Sequence, residues 1–499
     1  MEEYKVKFID FLLKTGALKV FEDPSDDRTL KSKRISPWFV NIGDFDDGES
    51  SNALGGFYAD ALLNSGFEFD LLYGIPDKGR EIVVAVSNEM ARKRKNIPRF
   101  STRRVPKDHG EASTVQAYGN ARTVKEFLAK MQGLSQSDRI KSWVIGRPPQ
   151  DGQRIVQLDD VFTVGDAKYE ALDMLRFLGN FNLPLIVIAV DRQEVGIDLS
   201  GTGTSAIEQY QEKTGTQVVS IVNAVSVYNI LKDGNLYSER ALERLANYIR
   251  VYGTKDARAA IGRGLEQKVI ELDRSVIPAC DVSTLEEFES LITDTADVDG
   301  IGGYKIGFEL ALGYSLSRVV EVVKERTNKP VIYDHQKAGT DIPDTGKNFA
   351  EVCKKAKVDA VILFPQSGPE TERAWIYHAL DKGLKVIVGG RMTHPAYTVS
   401  EGGFITDEGA LDMYRIAARV GVNNFVVPGN KPEVIKQVRD VVEAEGVNPV
   451  FYAPGFIAQG GSISDAARVA GDKFHGIVGR GIYQAQNKRA AAIEYTSQI

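Results

Sequence analysis

The sequence predicts an α/β protein of two units, a parallel sheet with helices on both faces followed by a (β/α)8 barrel. Three observations carry that prediction. At 499 residues the chain is long enough for two to four domains of ordinary size. Between about residues 68 and 240 strand-like segments alternate with helical patterns: EFDLLYGIP, EIVVAVSNEMARKR, RIVQLDDVF, AKYEALDMLRFLGN and LPLIVIAVD. Such alternation builds parallel sheets covered by helices. Beyond residue 270 eight short apolar segments, each followed by a helical pattern, fill about 225 residues, near the ~250 residues that a closed barrel of this kind takes. Between the two lies a charged, helix-favouring stretch without a strand, SERALERLANYIRVYGTKDARAAIGRGLEQKVIELD. It reads as a connector over 241–270, which places the units at 1–240 and 271–499.

Lys and Arg number 62 against 68 Asp and Glu, a net charge of −6. Charge therefore points to neither nucleic acid nor a membrane surface as a partner. Two distant cysteines, Cys280 and Cys353, form no disulfide framework, so a reducing compartment, the cytoplasm, is expected. The opening MEEYKVKFIDFLLKTGALKVF lacks the charged and apolar regions of a signal peptide. No apolar run approaches the ~20 residues of a membrane span. The five histidines (109, 335, 378, 394, 475) show no paired metal-ligand spacing, which argues against a zinc enzyme.

In the first half, RIVQLDDVFTVGDAKYE (154–170) is an apolar strand ending in two acids, then a Thr/Gly turn that opens a helix. Such a turn aims backbone N–H groups, a hydroxyl and the positive end of a helix at a phosphate. Asp159 and Asp160 would then face ribose hydroxyls; a plain helix cap after an acidic strand end reads the same way. The segment FSTRRVPKDHGEAS (100–113) gathers Arg103, Arg104, Lys107 and His109 in one loop, and four such cations ask for an anion or for water. RTLKSKRISPWFVN (28–41) adds a second basic and aromatic cluster.

These segments resemble those of orotate phosphoribosyltransferases. That family carries T-L-K-S-G-R-x-S-P-Y-F-x-N, a P-x-x-K-G turn, an R-K-x-x-K-D-H-G loop, D-D-V-x-T-x-G and a D-R-Q-E-x-G strand end, and the chain has counterparts of all five in order between about residues 8 and 230, the turn one residue shorter as PDKG. The resemblance implies that Lys31, Lys78, Arg103, Arg104, Lys107 and His109 contact the pyrophosphate of 5-phosphoribosyl diphosphate, with Lys107 the catalytic cation of the loop. It implies that the run Asp159–Ala167, with Asp160, Thr163, Gly165 and Ala167, binds the ribose 5-phosphate, and that Trp38, Phe39 and Arg192 hold orotate. It also implies Mg2+, bound mainly through the diphosphate rather than by a protein cluster. Trp38 replaces the usual Tyr, and the long gap between the cationic loop and the Asp pair marks 114–150 as an insertion.

The barrel strands are expected in SVIPACDV, GYKIGFE, PVIYDHQ, AVILFP, KVIVGG, FVVPG, PVFYAPG and GIVGRG. Barrel chemistry sits at the C-terminal ends of the strands, where Asp281, Lys305, Asp334, Lys337 and Asp341 fall. Acids and bases so mixed form either a catalytic array or an ion-pair network. The loops after strands 7 and 8, PVFYAPGFIAQGG and IVGRGIY, offer glycine amides, Gln459 and Arg480 to a phosphate.

From about residue 272 onward this half resembles orotidine 5′-phosphate decarboxylases, which are TIM barrels. Their A-L-D, V-K-x-G, D-x-K-x-x-D-I-P, S-H-P, P-G-x-x-x-Q-G-G and V-G-R-x-I-Y appear here as ACD, YKIGFE, DHQKAGTDIPDT, MTHP, PGFIAQGG and VGRGIY. The resemblance implies that Asp281 binds ribose and that Lys305, Asp334, Lys337 and Asp341 form the charged array. Thr393 takes the serine position beside the pyrimidine, while Gln459, Gly460, Gly479 and Arg480 grip the phosphate. No cofactor is implied. The expanded spacing between Asp334 and Lys337 would point them to opposite sides of a regular strand, so a bulge or loop is expected to bring them together. His335 either projects into the site or packs at the surface.

Together the two resemblances imply a bifunctional enzyme of pyrimidine biosynthesis, making orotidine 5′-phosphate from orotate and 5-phosphoribosyl diphosphate and decarboxylating it to UMP. The alternatives are that one half is a degenerate binding or scaffolding module, or that it acts on another substrate. A homodimer or higher homo-oligomer is implied, with the cationic loop and Asp341 reaching into the neighbouring subunit.

Overall fold

The computed structural model describes residues 2–107, 121, 123–162, 165–196, 204–262, 267–336, 338–456 and 460–499. It divides into two compact units, 1–249 with 253–261 and 250–252 with 262–499.

The first unit is built on a six-stranded sheet in the order Gln217–Asn223, Asn182–Asp191, Arg154–Leu158, Leu71–Gly74, Arg99–Thr102, Val144–Gly146. Five strands are parallel; the last runs antiparallel, against Arg99–Thr102. The expectation of a parallel sheet therefore holds except at one edge. Every residue of Leu71–Gly74 is buried because both faces of the sheet are covered. Leu71, Tyr73 and Ile155 meet Ala171 and Leu175 of helix Asp166–Leu178 on one face. On the other, helix Lys78–Arg92 comes so close that a Cβ on Gly74 would stand 2.3 Å from the Gly79 carbonyl oxygen. Only glycine allows that approach.

Within the stretch read from the sequence as an insertion, a helical pair, Val124–Lys130 and Gln136–Trp143, leads into the antiparallel edge strand. Its Phe127, Met131 and Trp143 pack with Met174 and Leu178. Residues 108–120, where the insertion was expected to begin, are outside the described set. Two small ladders precede the sheet, Leu18–Val20 with Trp38–Val40 and Arg28–Thr29 with Ile35–Ser36.

The stretch expected to be a connector is divided between the units. Helix Glu239–Tyr252 has Ala241, Leu245, Ala246 and Ile249 buried, and all but its last turn groups with the first unit. Its Arg244 is 2% exposed and forks the Asp27 carboxylate, Nη1 and Nη2 donating at 3.0 and 2.8 Å. The segment from Gln267, by contrast, belongs to the barrel. The Gln267 carbonyl accepts from Asn424 Nδ2 at 2.8 Å and its side chain from the Val386 N–H at 3.1 Å, while Ile270 joins the barrel core.

All eight expected barrel strands form, each parallel to the next, from Arg274–Pro278 to Phe474–Val478. Parallel bridges Val276–Ile301 and Ala279–Lys305 close the ring. Ile277, Ile332, Ile362, Ile387, Val426 and Ile477 fill it. Near its base Ser275 Oγ and His475 Nδ1 lie 2.7 Å apart, and burial pulls the imidazole down to about 3, so it stays neutral. Among the described residues no helix is long and apolar enough to cross a membrane.

Candidate active sites

In the first unit the site lies where strand ends, turns and helix starts meet. Lys78 is the first residue of its helix because Asp77 before it takes φ +79 and ψ −120, away from the common regions for an L-residue. The Asp77 carboxylate is ion-paired with Arg104 of the cationic loop. The Lys78 ammonium stands 3.7 Å from Asp160 and 3.4 Å from Asn41 Oδ1. Gly165, at φ +87, turns the chain into helix Asp166–Leu178, leaving the exposed Ala167 in the first turn. The backbone N–H groups of that turn suit a phosphate.

Asp159 and Asp160 diverge, contrary to the expectation that both face a ribose. Asp159 is 5% exposed and its Oδ2 is 2.6 Å from Lys168 Nζ, while Tyr58 donates to its carbonyl. Burial raises the Asp159 carboxyl above the usual range, against the pull of Lys168. Asp160 is the more open of the pair, one oxygen accepting from the Val161 N–H at 2.7 Å.

The third cluster centres on Arg192, just past strand Asn182–Asp191. Its guanidinium lies 4.1 Å over the Trp38 ring, donates from Nε to Glu194 Oε1 at 2.6 Å and from Nη2 to Ser36 Oγ at 2.9 Å. Trp38 is wholly buried beneath it, so this ring is not the open face expected for a planar ligand; the neighbouring Phe39 is only half-buried. Lys31 is exposed on the turn between strands Arg28–Thr29 and Ile35–Ser36. In the same turn Lys33 takes φ +66, where the related motif has glycine.

Arg103 and Lys107 are anchored through their backbones, their N–H groups donating to the carbonyls of Trp143 and Ser142 at 2.9 Å each. The helical pair thus carries the base of the cationic loop. His109 and Thr163 lie outside the described residues.

In the barrel a cavity of about 400 Å³ opens at the C-terminal ends of the strands. Lys305 Nζ sits between Asp281 Oδ1 at 3.4 Å and Asp334 Oδ2 at 3.2 Å. Burial pulls the Lys305 ammonium down, but the two carboxylates outweigh it and hold it above its ordinary value. Thr393, Gly479 and Arg480 line the same cavity.

Strand Val331–Tyr333 ends before Asp334, and the extra residue of the expanded motif is taken up by Gln336 at φ +52. Its N–H donates to Asp334 Oδ1 at 2.8 Å, so the other oxygen of that carboxylate is left for Lys305. Gln336 itself lines the cavity, while His335 stacks beside Tyr333 and Phe349 instead of entering it. Lys337 and Gln459 lie outside the described residues. Gly460 is exposed at φ +81 and is not among the described lining residues. Asp341, also exposed, is likewise not among the described lining residues, its carbonyl accepting from Thr371 Oγ1 at 2.9 Å.

The first half is 32% identical to the orotate phosphoribosyltransferase of Ruthia magnifica subsp. Calyptogena magnifica over 51% of this chain and 100% of that one. The second is 31% identical to the orotidine 5′-phosphate decarboxylase of Methanococcus maripaludis over 44% of this chain and 94% of the relative. The profile of the orotidine 5′-phosphate decarboxylase / HUMPS family matches residues 274–495. The chain belongs to both families. Its first half is a transferase and its second a decarboxylase, so the protein is a bifunctional enzyme of the pyrimidine pathway. Two solved structures are also similar. An orotate phosphoribosyltransferase of Francisella tularensis is 26% identical, covering 50% of this chain and 100% of that one at TM-score 0.38. An orotidine 5′-monophosphate decarboxylase of Methanocaldococcus jannaschii with the inhibitor BMP is 28% identical, covering 45% and 98% at TM-score 0.40.

Several residues of both halves escaped the sequence reading. In the decarboxylase half Gln336, His394 and Tyr483 line the cavity; His394 sits inside MTHP, a segment already singled out. In the transferase half Lys168, Glu194 and Tyr248 hold the expected residues in place. Glu194 could have been found inside DRQEVG; Tyr248 had no local signal, since its partner is 54 residues away.

Proposed function

We propose that the transferase half joins orotate to the phosphoribosyl group of 5-phosphoribosyl diphosphate and that the decarboxylase half converts the resulting orotidine 5′-phosphate to UMP and CO2. The observation that carries this reading is the placement of Lys305 between Asp281 and Asp334 in a cavity that also receives Arg480, an acid–base array next to a phosphate grip.

In the transferase half the bond from the anomeric carbon to pyrophosphate breaks as the bond to orotate N1 forms, and the N1 proton is released to solvent. Positive charge grows on the sugar and negative charge on the departing diphosphate. Asp160 suits the sugar, Gly165 and the helix behind it the 5-phosphate, and Lys78 with Arg103, Arg104 and Lys107 the leaving group. Among the described residues no three metal-ligating side chains converge, and one open carboxylate, Asp160, fits Mg2+ carried mainly by the diphosphate oxygens. When bound, that ion neutralises the charge of the leaving group.

In the decarboxylase half the bond between ring carbon C6 and the carboxylate breaks, CO2 departs and the electron pair stays on C6. Asp334, fixed by Lys305 and the Gln336 N–H, would stand near the substrate carboxylate, in keeping with a site preorganised for charge moving off that group. Lys337 is assigned the proton delivered to C6. Phosphate binding by Arg480 and the Gly479 turn supplies energy remote from the reacting carbon. The protein is assigned to the cytoplasm and to a homodimer or larger homo-oligomer.

The test is to incubate the purified full chain with orotate, 5-phosphoribosyl diphosphate and Mg2+ and to follow orotate, orotidine 5′-phosphate and CO2. Stoichiometric CO2 and UMP are expected. In Lys337→Ala, orotidine 5′-phosphate should accumulate instead. Accumulation in the unaltered chain would make the second half the degenerate module.

A further inference from the structure

We infer that Tyr248 is a positioning residue for orotate in the transferase half, acting through Glu194 on Arg192. The inference rests on the reading that Arg192 receives orotate.

Arg192 is restrained on three sides but has one loosely held arm. Its face lies on Trp38, the Tyr248 ring is 5.8 Å from the guanidinium, Nε is taken by Glu194 Oε1 at 2.6 Å and Nη2 by Ser36 Oγ at 2.9 Å, while among the described residues Nη1 has its longest bond, 3.5 Å to the Trp38 carbonyl. An anionic planar ligand would take Nη1, and its direction depends on where Glu194 holds Nε. Glu194 Oε1 accepts a second bond from the Tyr248 hydroxyl at 3.0 Å, and Oε2 faces Arg34 Nη1 at 3.5 Å. Arg34 makes its shorter bond elsewhere, to the Val195 carbonyl at 2.8 Å. The phenol is therefore the close neutral donor that shares the oxygen gripping Arg192. Burial pushes the phenol up, which keeps it a donor at any working pH.

The same helix fixes the turn that bears Arg192. Gln193 sits at φ +52, and its carbonyl accepts from the Thr254 N–H at 2.7 Å just past the helix end, while Glu194 bridges Gly253. One turn before Tyr248, Arg244 clamps Asp27 and the Phe21 carbonyl, fixing the chain that enters the Lys31–Phe39 segment. Helix Glu239–Tyr252 thus reaches both segments of the orotate site, and Tyr248 gives it a side-chain hydrogen bond to the carboxylate beside Arg192.

The test compares the full chain with Tyr248→Phe, Glu194→Gln and the double variant in steady-state transferase assays. Tyr248→Phe should raise the orotate KM about tenfold, the worth of one hydrogen bond to a charged group. The kcat, the KM for 5-phosphoribosyl diphosphate and decarboxylation of added orotidine 5′-phosphate should stay within twofold. In the Glu194→Gln background the same substitution should have no further effect, because the route through Glu194 is already cut. An unchanged orotate KM in Tyr248→Phe, or a uniform loss in kcat and both KM values with a lowered Tm, would overturn the inference. Arg192→Lys is the control: an unchanged orotate KM there would overturn the assignment of Arg192 itself, a distinct result.

Discussion

The ammonium of Lys168 stands 2.6 Å from the carboxylate of Asp159, with both side chains more than nine-tenths buried. Lys168 also donates to the Val161 carbonyl at 2.5 Å, so the pair ties helix Asp166–Leu178 to the strand end that precedes it. Lys168→Met leaves a buried charge without its partner and is expected to destabilise the transferase unit by about 3–5 kcal/mol. Adding Asp159→Asn should restore most of that loss in urea titrations. Equal stability of Lys168→Met and the unaltered chain would show the pair to be dispensable.

Asp191 ends the strand that leads to Arg192 and accepts from the Gln193 N–H at 2.7 Å. Burial, with Glu194 and Glu208 nearby, pushes its carboxyl up to about 6 despite that hydrogen bond. The folded chain therefore holds this proton more tightly than the unfolded chain does, so stability falls as pH rises from about 4 to about 6 and levels off above. Asp191→Asn removes the slope, and its stability relative to the unaltered chain should improve between pH 4 and pH 7 by at most about 3 kcal/mol. A difference that does not vary with pH would refute the assignment.

Chelation of divalent cations is expected to separate the two reactions. With EDTA, transfer to orotate should stop and resume on adding Mg2+, because the departing diphosphate needs its charge covered. Decarboxylation of added orotidine 5′-phosphate should continue at its former rate, since the mechanism proposed for it uses side chains such as Lys305 and Arg480 and no metal. Sensitivity of the second reaction to EDTA would require a different decarboxylase mechanism.

Asp341 is not among the described residues that line the cavity of its own chain, although the resemblance carried by DIPDT assigns it to the charged array. If it serves the site of a neighbouring copy, mixing inactive Lys337→Ala and Asp341→Ala proteins should regenerate activity. Half of randomly formed dimers are mixed and each has one intact site of two, so recovery should approach about a quarter of the unaltered rate. Full subunit exchange, verified by mass, without any recovery would put Asp341 and Lys337 to work in the same chain.

Much of this architecture was legible because local pattern and global fold agree. The barrel segments are apolar runs bounded by turns, and each became a strand. Arg99–Thr102, Val144–Gly146 and Gln217–Asn223 were harder to see: R-F-S-T is polar at every position but Phe100, and V-I-G is hidden at the end of a helical stretch. The helical character of 239–252 could be read, but not its allegiance, because Arg244 finds Asp27 across 217 residues. In the sites, residue types were readable and orientations were not. Nothing local says that Asp159 turns inward to Lys168 while Asp160 turns out, or that Gln336 takes a left-handed turn to absorb an added residue.

Anyone wishing to express the two catalysts separately will find the cloning boundary narrower than the apparent linker. A transferase fragment stopped at residue 240 would lack Arg244 and Tyr248, taking the guanidinium fork from Asp27 and the phenol hydrogen bond from Glu194. A decarboxylase fragment begun at 271 would lose Gln267 and Ile270, the stopper at the base of the barrel, and leave Asn424 and the Val386 amide to find water instead.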